Sequence, residues 1–401
     1  MAVTESAPTT DDARVEEAID RLLAEHPPTE TDVVSFLGAQ FDAGLAWVHY
    51  DEGFGGLGLA ARHQKTINER IQAAGGPAAP ARNPIGHGMS APTIYTHGSD
   101  EQKHRYLRPL FTGEEIWCQL FSEPGAGSDV ASLAMRAEQD GDEWVVNGQK
   151  VWTTLAHVAS FGTLVARHDP NQPKHKGLTH FVVDMQAPGV EVRPLRQMTG
   201  DAEFNEVYFT DVRIPDSERL GEVGEGWRVA ITTLMNERVS IGGAIPERGS
   251  GAIGAVRKVF EEHVADHDAA RRDEFMKLWV RADVTRLTNI RASQNRKLGD
   301  PGPEGSVGKL ASAELNKDLF AFAVDCMGPE GQLYGSYAME RGAGVGLAGV
   351  PTQQLFLRMR ANSIEGGTTE VMKNILGERV LGLPGDIRVD KDKPWSEVPR
   401  S

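Results

Sequence analysis

Apolar residues recur at two different periods along this 401-residue chain, and the period changes twice. The first stretch is helical in spacing. Val34, Phe36, Leu37, Phe41 and Leu45 share one face between Asp32 and Leu45, the three-to-four repeat of an amphipathic helix. A glycine-rich turn follows at Gly53–Gly58, and Ser99 with Gln102 is a capping box that predicts a helix through Lys103, Tyr106 and Leu107. From about Trp117 the runs become short and strand-like. Trp144-Val-Val146 and Lys150-Val-Trp152 flank Asn147-Gly148, the dipeptide expected of a hairpin turn. Further runs at 161–167, 180–184, 190–195 and 206–209 are separated by Gly, Pro and Asp. After Gly221–Gly226, long helical patterns cover roughly 227–265, 270–298, 307–327 and 368–380, which suggests an antiparallel bundle.

The expected fold is therefore α+β and multidomain: a helical domain over 1–116, a β domain over 117–225 and a helical bundle over 226–401. The first dozen residues read as disordered, and no internal repeat is evident.

Charge narrows the function. The formal net charge is −15, the opposite of the basic footprint of a nucleic-acid or anionic-membrane binder. No run approaches the roughly 20 apolar residues of a membrane span. The N-terminal segment has neither the basic nor the apolar region of an export signal. Two cysteines, Cys118 and Cys326, form no disulfide framework and suit a reducing, cytoplasmic setting. The acid is unevenly spread. Residues 1–115 and 116–225 each hold 9 basic against 17 acidic side chains, whereas residues 226–401 hold 24 against 23.

Several motifs bear on chemistry. Gly53-Phe-Gly55-Gly-Leu-Gly58 and Gly249-Ser-Gly251-Ala-Ile-Gly254 both match a dinucleotide-binding spacing. The first follows no clear strand and the second falls in a helical run, so neither meets the requirement for a strand before and a helix after. His263 and His267 have i, i+4 spacing, but they lie in a polar run with no third ligand nearby, and no metal site is expected. The segment Gln119-Leu-Phe121-Ser122-Glu-Pro-Gly-Ala-Gly127-Ser128-Asp runs from a strand into a turn whose glycines allow backbone N–H groups to converge on an anion such as phosphate. An ordinary turn is the alternative. Trp152-Thr153-Thr154 could wall a flat heterocycle and bond its edge, or could be plain β-domain core.

Taken with Gly98–Leu107, Val146–Thr154, Gly224–Trp227 and Glu365-Gly-Gly-Thr-Thr-Glu-Val371, these segments resemble, in order and spacing, the acyl-CoA dehydrogenase family over nearly the whole chain. The resemblance implies a helical domain, a β-barrel-like domain and a C-terminal four-helix bundle. It implies FAD as cofactor, with Ser122 and Thr154 on the flavin ring, Trp152 against it, and Ser128 at the pyrophosphate and near the acyl-CoA. Gln119, Phe121, Gly127, Thr153, Thr368 and Glu370 complete the cofactor set. The implied reaction removes an α-proton from an acyl thioester while a β-hydride leaves for flavin N5. The implied partners are an acyl-CoA substrate, an electron-transfer flavoprotein and further subunits in a dimer or tetramer.

Two glutamates compete for the role of base. In many members the base directly precedes the Gly-Thr of the C-terminal motif, but that position is Gly366 here and Glu365 is displaced by one residue. Members resembling isovaleryl- and long-chain acyl-CoA dehydrogenases place the base in a Glu-Arg pair on the first bundle helix, and Glu237-Arg238 fits that arrangement. At 100° per residue Glu237 shares a face with Ala230, Thr233, Leu234, Ile241 and Ala244, an inward position that is costly for a carboxylate without a function. Glu237 is the expected base. The backbone N–H of Gly366 is expected on the thioester oxygen, Gly367 beside the substrate, and Arg238 on CoA or on Glu237 itself.

The chain also departs from the family. The Arg with Phe-Gly three residues on, which reaches a neighbouring subunit's FAD, is missing around Arg271–Phe275. The later Gln and Gly-Gly pair are replaced by Asp325, Gly328 and Pro329. These changes raise the expectation of a different homologous subunit as partner. An acyl-CoA oxidase-like flavoenzyme and a non-catalytic structural subunit are the rival readings.

Overall fold

The computed structural model describes residues 10–242, 245–265, 267–297, 304–342, 349–387 and 390–399. The chain divides into two compact units. One comprises Met1–Pro124, Leu133–Arg193 and Asn205–Thr233; the other comprises Gly125–Ser132, Pro194–Phe204 and Leu234–Ser401.

The first unit combines helices and a sheet. Its helices are α1 (Thr10–Glu25), α2 (Val33–Asp42), α3 (His63–Ala73), α4 (Ala91–His97) and α5 (Asp100–Thr112). Residues 1–9 lie outside the described residues, and α1 already begins at Thr10, earlier than the expected end of the disordered segment. Asp32 caps α2 by accepting from the N–H groups of Val34 and Ser35, each at 3.1 Å. The capping box of α5 forms as expected: Ser99 Oγ accepts from Gln102 N at 3.2 Å, and Gln102 Oε1 accepts from Ser99 N at 2.9 Å. Phe36, Leu37, Leu107 and Leu110 are fully buried and share one core with Trp117, Val182 and Leu220 of the sheet.

The strands are β1 (Trp117–Leu120), β2 (Arg136–Asp140), β3 (Glu143–Thr154), β4 (Phe161–Arg167), β5 (Leu178–Asp184), β6 (Val190–Pro194), β7 (Phe204–Pro215) and β8 (Arg219–Leu220). They pair in the order β6-β7-β3-β2-β4-β5-β8, with β1 on β4. The sheet is open: among the described residues nothing pairs β6 with β8, so no closed barrel forms.

The expected hairpin turn is displaced. Asn147-Gly148 lies inside the continuous strand β3, and the chain reverses at Gly141-Asp142, where Asp140 faces Glu143. Two contacts keep Asn147-Gly148 in the strand. Asn147 exchanges side-chain hydrogen bonds with Asp211 of β7, at 3.0 and 2.9 Å. Gly148, at φ 149, lies so close to Met135 that a Cβ would sit 3.0 Å from the Met135 Cα.

The second unit is helical. It takes up α6 (Gly226–Gly242) from Leu234 and contains α7 (Ala252–His263), α8 (Ala269–Lys297), α9 (Glu304–Cys326), α10 (Thr352–Arg358) and α11 (Thr369–Arg379). α9 is central, with α7, α8, α10 and α11 all packed on it, and Phe260 stacks on Phe275 at 4.7 Å within the core. The pattern expected to be one helix over 227–265 is two. Pro246 has no N–H for a helical bond, and Gly249 and Gly251 turn the chain at φ 78 and 71. The second glycine motif therefore opens α7 instead of lying within a helix. A cavity of about 250 Å3 lies between this loop, α8 and α9, with Trp279, Asp283 and Asn316 in its wall. α7 ends at His263, so His267 falls beyond the helix, and no metal-binding cluster exists among the described residues.

Two histidines of the first unit make its stability pH-dependent. Burial pulls His180 on β5 down to about 3, and pulls His87 down to about 4 against an opposing bond to Phe111 O. Both are depressed below the unfolded value, so the stability they carry is present above about pH 6.5 and is lost on acidification toward those values. At pH 5 each should cost about 2 kcal/mol. Chemical denaturation of the wild type and of His180→Gln near pH 7 and pH 5 measures this: the variant should lose about 2 kcal/mol less.

Candidate active site

In the first unit, β1 runs into Phe121-Ser122-Glu123, and this turn is clamped from beneath. Lys150 on β3 points inward and is fully buried. Its Nζ donates to Phe121 O at 2.9 Å and to Glu123 Oε1 at 2.8 Å. The Glu123 carboxylate also accepts from Ala134 N at 2.6 Å and Met135 N at 3.0 Å. Val151 N donates to Ser122 O at 2.9 Å. Ser122 is thus fixed on both sides and left half-buried. Burial lowers the Lys150 pKa, and the adjacent Glu123 opposes that shift.

One strand turn further on, the backbone is strained. Trp152 has φ 59 and Leu155 has φ 59, a region that costs a non-glycine residue about 1–3 kcal/mol and is seldom kept without a function. The result is an outward indole: Trp152 is 56% exposed at the end of a strand. Thr153 turns inward; its Oγ1 is buried with no hydrogen-bond partner among the described residues, and its carbonyl accepts from Asn205 at 3.1 Å. Thr154 and Gln119 are half-buried, whereas Phe121 is buried, its ring edge-on to His180 at 5.4 Å. An exposed indole near half-buried hydroxyls is a fitting wall for a planar heterocycle such as the flavin ring.

In the second unit, Gly127 and Ser128 are exposed on the loop Gly125–Ser132. Ser132 Oγ donates to Asp129 Oδ2 at 2.5 Å, and the buried Trp395 donates its indole N–H to Ser132 O at 3.1 Å. The C-terminal segment therefore anchors the base of the glycine loop.

The turn before α11 is the other centre of this unit. Gly366 and Gly367 have φ 62 and 92, the left-handed region that favours glycine. The N–H groups of Gly366, Gly367 and Thr368 find no acceptor among the described residues. Thr368 caps α11 by accepting from Val371 N at 3.1 Å, and Glu370 is exposed in the first helical turn. Glu365 is engaged: Arg358 grips both its oxygens at 3.0 Å, and Asn362 Nδ2 donates to Oε1 at 2.7 Å. Glu237 is half-buried on α6. The side chains of Arg238 and Ile241, and all of Ala244, lie outside the described residues. Of the positions where the chain departs from the family, Arg271 pairs with Glu274 at 3.0 Å and Phe275 is core, while Gly328 and Pro329 open a 3-10 turn after α9.

Sequence reading did not single out the clamp of Lys150 and Glu123, the pairing of Arg358 with Glu365, or Trp395. Lys150 was detectable in principle, because alternation along β3 puts it on the inward face.

Residues 10–114, 118–212 and 224–381 match the N-terminal, middle and C-terminal domains of acyl-CoA dehydrogenases. The chain belongs to the acyl-CoA dehydrogenase family, whose members are FAD-dependent oxidoreductases of lipid metabolism. It is 39% identical over 347 residues to the acyl-CoA dehydrogenase FadE34 of Mycobacterium tuberculosis, covering 86% of this chain and 45% of that relative's length. Among solved structures it is similar to the Tcur3481-Tcur3483 steroid ACAD, at 25% identity and TM-score 0.72, covering 95% and 99% of the two chains. It is also similar to the ChsE4-ChsE5 complex from Mycobacterium tuberculosis, at 25% identity and TM-score 0.69, covering 96% and 100%.

Removing the clamp tests its weight. Lys150→Met leaves the Glu123 carboxylate buried without its cation and should cost about 3–5 kcal/mol. The double variant with Glu123→Gln should recover part of that loss. Urea unfolding of the two variants measures both.

Proposed function

We propose that this chain is an FAD-dependent acyl-CoA α,β-dehydrogenase of the cytoplasm in which Glu237 removes the α-proton, with electrons passing to an electron-transfer flavoprotein. The observation that carries the choice of base is the state of its rival. Glu365 is committed to Arg358 and Asn362 by three hydrogen bonds, and a carboxylate held on both oxygens is not placed to reach a substrate α-carbon. Glu237 is half-buried on α6.

FAD, when bound, supplies the hydride acceptor. Ser122 and Thr154 bond the edge of its ring and Trp152 covers a face, with Gln119, Phe121 and Thr153 around them. Gly127 and Ser128 take the pyrophosphate, and Thr368 and Glu370 complete the cofactor contacts. The N–H of Gly366 takes the thioester oxygen, where negative charge develops as the α-proton leaves, and Gly367 lies against the substrate. Arg238 contacts CoA or holds Glu237. In this reading the helical, β and bundle layers divide at about residues 117 and 226.

The substrate class favoured is a bulky polycyclic thioester, supported by the likeness to a protein named a steroid ACAD. A second, homologous subunit is the favoured partner. Its support is the altered Arg271–Phe275 and Asp325–Pro329 segments together with the likeness to a two-protein complex.

Anaerobic mixing with a panel of acyl-CoAs, followed by flavin absorbance, tests the reading. Glu237→Gln should slow bleaching about 10²–10⁴-fold, while Glu365→Gln should stay within about tenfold of wild type. The reverse order moves the base to Glu365. A protein without flavin, or with flavin that no acyl-CoA reduces, identifies a structural subunit. Rapid reoxidation in air identifies an oxidase.

A further inference from the structure

A lysine stands behind the glycine turn. Lys309 on α9 is 4% exposed, and lysine is almost never this buried unless its ammonium is used. Its Nζ donates to Asn362 O at 2.9 Å and also to Gly367 O. One cation thus draws together two carbonyls that bracket residues 363–366, pulling both toward α9.

The consequence is stereochemical. In a trans peptide the carbonyl and N–H point in opposite directions, so fixing Gly367 O on Lys309 turns the Thr368 N–H away from α9. Gly366 and Gly367 are both left-handed, a backbone that glycine adopts without a steric penalty. The N–H groups of Gly366, Gly367 and Thr368 have no acceptor among the described residues. The same stretch has further ties to this helix: Asn316 on α9 donates to Asn362 Oδ1 at 3.0 Å, and Thr369 donates to Glu314 Oε1 on α9 at 2.7 Å. The turn is therefore tied to one helix at three points, and Lys309 is the only charged donor among those ties.

We propose that Lys309 is the positioning residue of the thioester site. It holds the Gly366–Gly367 turn so that its N–H groups face the thioester oxygen, and it places a buried positive charge behind them. This rests on the reading of Gly366 given above. Preorganised donors of this kind act mainly where charge develops in the transition state. Loss of Lys309 should therefore lower the rate of α-proton removal far more than it lowers acyl-CoA affinity.

The test uses the full FAD-loaded chain, with flavin content and thermal midpoint measured first. For Lys309→Met, the rate of anaerobic flavin reduction at saturating acyl-CoA should fall about 10²-fold, while acyl-CoA affinity changes by less than about threefold. A second readout needs no turnover. The 3-thia analogue of the best acyl-CoA cannot be dehydrogenated, and its polarised thioester gives a long-wavelength absorption band with the wild-type flavin that should be lost in Lys309→Met. Lys309→Arg, which keeps charge and donors, should restore part of the band and of the rate. If Lys309→Met does not fold, Lys309→Gln, one bond shorter and keeping a donor but no charge, takes its place in both measurements. A folded, flavin-loaded variant with wild-type rate and band overturns the proposal. Equal losses of rate and affinity assign Lys309 a merely structural role and overturn it as well. A wild type that no acyl-CoA reduces overturns the reading of the site itself, and this inference with it.

Discussion

The turn at Phe121–Glu123 depends on one buried ion pair. Lys150 enters the sheet at an inward position of β3, where an alternating strand would normally carry an apolar residue. Desolvating an ammonium is expensive unless it is paired and hydrogen-bonded. Glu123 and the carbonyl of Phe121 meet that requirement, at 2.8 and 2.9 Å. Glu123 in turn holds the N–H groups of Ala134 and Met135, the residues at which the chain re-enters the sheet after the glycine loop. One pair of opposite charges thereby fixes both ends of the excursion that carries Gly127 and Ser128, and Ser122 lies directly on it.

The backbone is left-handed both at Trp152 and Leu155 and at Gly366–Gly367, and the two places are stabilised differently. Trp152 and Leu155 adopt left-handed conformations as ordinary side chains, so the surrounding strand must hold them there. Leu155 is buried, as are Val151 and Thr153, and that packing turns the indole outward. At Gly366–Gly367 the same conformation carries no penalty, because glycine has no Cβ. What must be held there is direction, and the hydrogen bonds to α9 supply it. α9 thus serves both the core of the second unit, through Leu319, Phe320 and Ala323, and the turn, through Lys309, Glu314 and Asn316.

The charge distribution fits this division. The excess acid lies in residues 1–225, and the near-neutral remainder holds 24 basic side chains. Many of those are committed within the second unit, as Arg358 is to Glu365 and Arg286 to Asp283 at 2.9 Å. Net charge therefore speaks about polyanions such as nucleic acid and says nothing of nucleotide-sized ligands, which local groups recognise.

Local signals decided much of the fold. Asp32, the Ser99–Gln102 box and Gly113 set helix ends through hydrogen bonds and backbone conformations within a few residues, and β4 and β6 are short runs bounded by turn residues. Motif order placed the chain in its family and pointed to Ser122, Trp152, Glu237 and Gly366. Where the sequence misled, a distant contact had overruled a local preference. Asn147-Gly148 stays in a strand because Asp211 and Met135 hold it there. The helix expected over 227–265 is the exception, since Pro246 and the left-handed Gly249 and Gly251 interrupt it locally. Glu365 is tied up by Arg358 and Asn362, partners that its neighbours in the motif do not announce. The amino-acid sequence by itself determined the element types, the caps and the family, since those depend on interactions within a turn or two. Only the tertiary structure decided which buried charges hold the loops and which backbone donors are left unpaired, because burial and pairing depend on residues tens of positions apart in the chain.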